Sequence, residues 1–138
     1  MIELLVVIAI IGLLASIVTT ALSSARMKAR DARRVSDMKQ IKTGLDLFFA
    51  SGNGYPSTAT YNAAMGTILK CGTVDILRVT NDPLSPAYSY TYVATGGPNV
   101  GCGQTDLGLS YSITFVLEKT GVTYTMDEDG RFTPAIPY

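Results

Sequence analysis

Few side chains in this sequence could do chemistry. There is no histidine, and the two cysteines, Cys71 and Cys102, lie in a region rich in Gly, Ser and Thr. An even pair in that setting reads as a disulfide made in an oxidising compartment, with two free thiols as the alternative. Without histidine, and with the cysteines so committed, Ser-His and Cys-His nucleophilic arrangements are excluded. No phosphate loop of the form GxxxxGK[ST] is present. The expectation is a protein that is not an enzyme. Asp127-Glu128-Asp129-Gly130 sets three acids before a glycine. Oxygen-rich loops suit calcium, so Asp127 and Asp129 are the residues that would hold a metal. The tetrad lacks the spacing of a full calcium loop, however, and Asp-Gly before a short strand is a common turn, so no cofactor is expected. Tyr88, Tyr90 and Tyr92 alternate, which fits sheet packing better than a ligand-stacking platform.

The remaining chemistry is charge. Glu3 is the one ionisable side chain in the 24 residues from Ile2 to Ala25, IELLVVIAIIGLLASIVTTALSSA. A carboxylate at the centre of a bilayer costs roughly 2.5–3.5 kcal/mol, and less near an end where it reaches headgroups. Arg26, Lys28, Arg30, Arg33, Arg34, Lys39 and Lys42 then face only Asp31 and Asp37, a net of +5, whereas the chain from Thr43 onward is net −4. A basic collar and an acidic head do not make the single basic face of a nucleic-acid protein. The collar reads as a solvated or headgroup-facing surface, or as pairing between subunits through Asp31, Asp37, Asp46 or acids of the head. By the positive-inside rule, a basic segment directly after a membrane run favours cytoplasmic placement. A disulfide requires the opposite side.

The elements that position these groups follow from periodicity. A run of about 20 apolar residues spans a bilayer as a helix. A removable secretory signal would have a basic start and a shorter apolar core. Beyond Ala25 the pattern turns amphipathic, with Met27, Val35, Met38, Ile41, Leu45 and Phe48 on a stripe bridged by Ala32. Arg30, Arg33, Asp37, Lys39 and Lys42 take the polar faces. One continuous helix is predicted from about Ile2 to about Ala50, ended by Ser51-Gly52-Asn53-Gly54. A short helix is expected within Thr60–Lys70. Strands are expected over Ala87–Ala94, Leu109–Glu118 and Val122–Met126, with a stub at Arg131–Thr133 and a loop over Gly96–Gly108 pinned by Cys102. The fold class is α+β: a long helix whose C-terminal half packs on a small antiparallel sheet. Residues 1–25 form the transmembrane or filament-core segment, and 26–138 the head.

The opening M-I-E-L-L-V-V-I-A-I-I-G-L-L-A-S-I-V resembles the N-terminal segment shared by type IV pilins and the pseudopilins of type II secretion and DNA-uptake machines. The likeness is strong over Ile2–Val18, continues through Ala29–Arg34 to Tyr55-Pro56, and is only architectural in the head. It implies processing and methylation by a prepilin peptidase, storage in the cytoplasmic membrane, and assembly by inner-membrane machinery. The product would be a helical homopolymer, extracellular in the case of a pilus. By the match of I-E-L-L-V-V-I, Glu3 takes the place of the family's assembly glutamate, whose partner is the amino terminus of a neighbouring subunit. Some G-type pseudopilins of that family bind calcium in the head. The family's basic leader and cleavage glycine are not in this sequence, and Met1 stands where the family has a residue of the mature protein. The proline that many members carry near the end of the membrane segment is also missing, so any unwinding would fall between Gly12 and Thr20, where Gly and Thr are poor helix formers.

The resemblance implies a filament core made by Leu4, Leu5, Val7, Ile8, Ile11, Leu14, Ile17 and Val18, with Glu3 setting axial register. The principal expectation is a type IV pilus-like subunit. The alternatives are a pseudopilin of a secretion or DNA-uptake machine, the only route by which nucleic acid would enter, and a single-pass anchored binding domain that never polymerises.

Overall fold

Helix α1 runs unbroken from Ile2 to Gly52, 51 residues and about 76 Å at 1.5 Å per residue. The computed structural model describes residues 2–136. The helix has two environments. Its N-terminal half touches nothing: from Ile2 to Ser23 every residue is exposed. Its C-terminal half lays Met38, Ile41, Leu45 and Phe48, all 1% exposed or less, against the head. Burying side chains of this size stabilises by roughly 1.5–3 kcal/mol each. The helix stops at Asn53, a left-handed residue (φ 55°) whose N–H donates to the Phe49 carbonyl at 2.7 Å. This is a left-handed C-terminal cap.

The buried stripe departs from the predicted one at its membrane end. Ala32 is exposed and Val35 half-buried, while Asp31, Arg34 and Asp37 are buried. Asp37, expected on a polar face, therefore points into the head. Charge, not apolar surface, continues the stripe there.

After α1 come α2 (Thr58–Ala63), β1 (Ile68–Cys71), β2 (Val74–Arg78), β3 (Thr91–Thr95), β4 (Asn99–Gly101), β5 (Gln104–Leu107), β6 (Ser110–Val116), β7 (Thr123–Asp127) and β8 (Phe132–Thr133). Four strands form an antiparallel sheet in the order β3-β6-β7-β8, and β1-β2 and β4-β5 are separate hairpins. In β6, Tyr111, Ile113 and Phe115 are buried and their neighbours half-buried. That is the period of two expected of a sheet with one covered face. Tyr92 stacks on Tyr61 of α2 at 4.0 Å between ring centroids and on Tyr111 at 5.7 Å. Tyr90 and Tyr92 are thus packing residues. The α+β architecture is the one predicted.

Four local expectations are corrected. The helix within Thr60–Lys70 is only α2, capped by Ser57 Oγ accepting from the Thr60 N–H at 3.3 Å; the chain then enters β1. Strand β2 was not foreseen, because VDILR lacks alternation. Gly96–Gly108 is not a plain loop but carries the β4–β5 hairpin, whose turn residues Cys102 and Gly103 both have positive φ, 52° and 75°. Positive φ at both central residues is the type I′ arrangement of two-residue hairpins. The strand expected from Ala87 begins at Thr91, since the chain before it turns toward α1.

Candidate functional site

The first candidate surface is the free half of α1. Leu4, Leu5, Val7, Ile8, Ile11, Leu14, Ile17 and Val18 are all between 50 and 69% exposed. At 100° per residue, Leu4, Val7, Ile8, Ile11, Leu14 and Val18 fall within an arc of about 120°, and Glu3 lies at its edge beside Leu14. Leu5 and Ile17 flank the arc. Ile10 beside Ile17, and Ile2, Val6 and Leu13 on the other side, are equally bare, so the helix is apolar all round. Such a helix belongs in lipid or among other helices, not in water. It is long and apolar enough to cross a membrane. Glu3, in its first turn, is exposed. Met1 lies outside the described residues.

The second feature is the neck, where α1 enters the head. The Arg34 guanidinium is fully buried. Its Nε and Nη2 donate to the two Asp82 oxygens at 2.6 and 2.9 Å, and Nη1 donates to Asp31 Oδ1 at 2.7 Å. Tyr88 stacks on its face at 4.9 Å. Arg30 makes a second two-pronged pair with Glu118, both bonds 2.7 Å. The Asp31 carboxylate accepts the N–H groups of Glu118 and Lys119 at 2.8 and 3.0 Å. The helix is therefore clamped to the turn after β6 and to the segment before β3. Paired planar geometry makes these the strong kind of charged hydrogen bond. Burial raises the Asp82 pKa, but the Arg34 hydrogen bonds and the Leu84 N–H hold the carboxyl below its usual range. The Arg30 hydrogen bond likewise holds Glu118 down. Asp37 goes the other way: burial pushes it up against a 3.1 Å hydrogen bond donated by Tyr90.

The collar is thus not uniformly solvated. Arg30 and Arg34 pair within the chain, as does Lys42 with Asp46 at 2.7 Å. The partners Asp82 and Glu118 were missed as site residues in sequence. The only signal was the acidic excess of the head opposite a basic helix.

The third feature is the disulfide. Cys71 and Cys102 are bonded, joining the end of β1 to the turn of β4–β5. The Cys102 sulfur lies where a side chain on Gly52 would sit, and the Gly52 carbonyl lies where one on Gly101 would sit. Asn99 Nδ2 donates to the Asn53 carbonyl. The bridge thus fastens both hairpins over the C-terminal end of α1.

The acidic tetrad is occupied by its own turn. Asp127 Oδ1 accepts the Arg131 N–H at 2.8 Å, and Asp129 faces the Arg131 guanidinium at 3.7 Å. Among the described residues, no group of three or more His, Cys, Asp or Glu side chains is placed to hold a metal ion.

Over 58 residues, 42% of the chain, the sequence is 40% identical to the type II secretion system core protein G of Pectobacterium carotovorum subsp. carotovorum. It is 38% identical over 58 residues to the protein of the same name from Aeromonas hydrophila. The matched stretch spans 37% and 41% of those proteins, so the likeness covers about two-fifths of each curated relative. No protein-family model matches the chain, and no solved structure matches it. The chain is similar in part to type II secretion pseudopilins.

Proposed function

We propose that this chain is a pilin-like structural subunit of the pseudopilin kind, held in the cytoplasmic membrane by α1 and drawn from it into a helical homopolymer. The observation that carries this reading is the contrast along one helix. Residues from Ile2 to Ser23 are exposed and apolar almost throughout, while residues from Asp31 onward are clamped to a folded head. In a polymer, packing of Leu4, Leu5, Val7, Ile8, Ile11, Leu14, Ile17 and Val18 against neighbouring helices replaces lipid contact. Glu3, then shut away from water, requires a cation, and the amino terminus of the next subunit meets that need. The partial likeness to type II secretion core proteins G favours a short secretion-type pseudopilus over an extracellular pilus. The disulfide favours a head outside the cytoplasm. Prepilin peptidase and the inner-membrane assembly machinery are the partners this role requires, and it needs no catalytic group.

The test is Glu3→Ala in the native host. The subunit is expected to remain in the membrane fraction while sedimentable polymer is depleted. Polymer at normal yield would refute the register role. Cysteine pairs placed at Ile11 and Leu14 should cross-link subunits in membranes; strictly monomeric behaviour would favour an anchored module that does not polymerise.

A further inference from the structure

The head pairs with Arg30 and Arg34, and α1 itself with Arg33 and Lys42, but the membrane end of the collar is left without such partners. Arg30, Arg34 and Lys42 have close partners, and Arg33 has Asp37 at 4.0 Å. Arg26 and Lys28 are exposed and form no ion pair among the described residues. A third cation comes from far along the chain. Lys119, exposed and equally free, is carried to the neck because its own N–H and that of Glu118 are held by Asp31. Lys28, Asp31 and Lys119 line one groove with Ile136, while Arg26 lines a separate hollow with Thr19, Leu22, Ser23 and the paired Arg30.

Height and arrangement identify the ligand. With Glu3 at one edge of the hydrocarbon, Arg26 and Lys28 lie about 35–38 Å along the axis and Asp31 about 42 Å. A bilayer has about 30 Å of hydrocarbon and is about 40–45 Å thick with headgroups. Measured from that edge, the outer headgroup layer runs from about 30 to about 35–37 Å. Arg26 therefore falls within it, and Lys28 stands at its water-facing limit with a side chain long enough to reach back into it. The head begins about 5 Å beyond. Lys39 is about 16 Å farther on and out of reach. Arg26 and Lys28 are about 200° apart around the helix. A neighbouring protein would meet one side, whereas a headgroup layer meets both. We infer that Arg26, Lys28 and Lys119 form a site for the phosphates of anionic lipids, which seats the head on the membrane before assembly. This rests on the reading that residues 2–25 span the bilayer.

The experiment uses the full chain in nanodiscs of mixed phosphatidylglycerol and phosphatidylcholine, with lipids retained on release counted by native mass spectrometry. The wild type should retain phosphatidylglycerol selectively. At about fivefold per juxtamembrane cation, the triple variant Arg26→Gln/Lys28→Gln/Lys119→Gln should lose about 100-fold of that preference. Lys39→Gln/Arg78→Gln, which removes exposed cations elsewhere, should keep it. Equal retention of both lipids by the wild type, an undiminished preference in the triple variant, or an equal loss in the control overturns the inference. So does a triple variant whose only defect is self-association in pure phosphatidylcholine, since the cations would then serve a second copy. A chain that fails to enter nanodiscs of either lipid removes the membrane reading itself, and the inference with it.

Discussion

Arg34 and Asp82 are 48 residues apart in sequence and joined by two hydrogen bonds, at 2.6 and 2.9 Å, with the arginine wholly out of solvent. This pair ties α1 to the head at the point where the rod leaves it. Asp31 and Glu118 complete the charge around it.

Truncating one partner leaves the other charge buried. Arg34→Ala should therefore destabilise the head by about 3–5 kcal/mol, whereas Arg34→Met with Asp82→Leu should recover much of that loss. Denaturant unfolding in detergent, followed by tyrosine fluorescence, measures both. Equal losses in the single and double variants would contradict an ion-pair clamp.

The clamp also predicts acid behaviour. Asp82 and Glu118 are held below their ordinary values. Their stabilisation is thus complete above the unfolded carboxylate range, about pH 4, and lost as pH falls through their lower folded values. Asp37 is raised, so it opposes folding increasingly as pH climbs from about 4 through its folded value. Asp37→Asn, which keeps an oxygen for Tyr90, should stabilise the head at neutral pH and leave stability at pH 3 almost unchanged. Stability measured from pH 3 to 8 checks both signs.

Reduction of Cys71–Cys102 opens a loop with a sequence separation of 31. In the chain-entropy model this costs about 3–4 kcal/mol. Cys71→Ser/Cys102→Ser should lose that much in denaturant unfolding. In hydrogen exchange, β4–β5 should lose protection before β6 and β7, since the paired strands of the main sheet do not depend on the bridge.

Two glycines separate head from filament. An added methyl on Gly52 runs into Cys102, while one on Gly12 meets nothing within 4 Å. Gly52→Ala should cost about 1–3 kcal/mol through overpacking. Gly12→Ala should leave the subunit unharmed, helix propensity even favouring it by about 1 kcal/mol. Any loss of polymer in Gly12→Ala then reports close packing between helices of different subunits.

The long helix, the change in its pattern from unbroken apolar to amphipathic after Ala25, and the strands β6 and β7 could be read from the residues alone. These are written in local period: unbroken apolar residues, then Met38, Ile41, Leu45 and Phe48 at helical spacing, then Tyr111, Ile113 and Phe115 at every second place. The cysteine pair was legible from number and setting alone. Which charges of the collar are spent and which are free depends on the folded arrangement. A guanidinium on a helix face looks the same in sequence whether it meets water, lipid or Asp82, because its partner is fixed by where the turn before β3 and the turn after β6 come to rest. The β4–β5 hairpin was hidden for a related reason. Its strands are short and bury only Leu107, so no apolar alternation marks them. They hold their shape through positive-φ turn residues and a sulfur bridge that take effect only once the end of α1 lies beneath them.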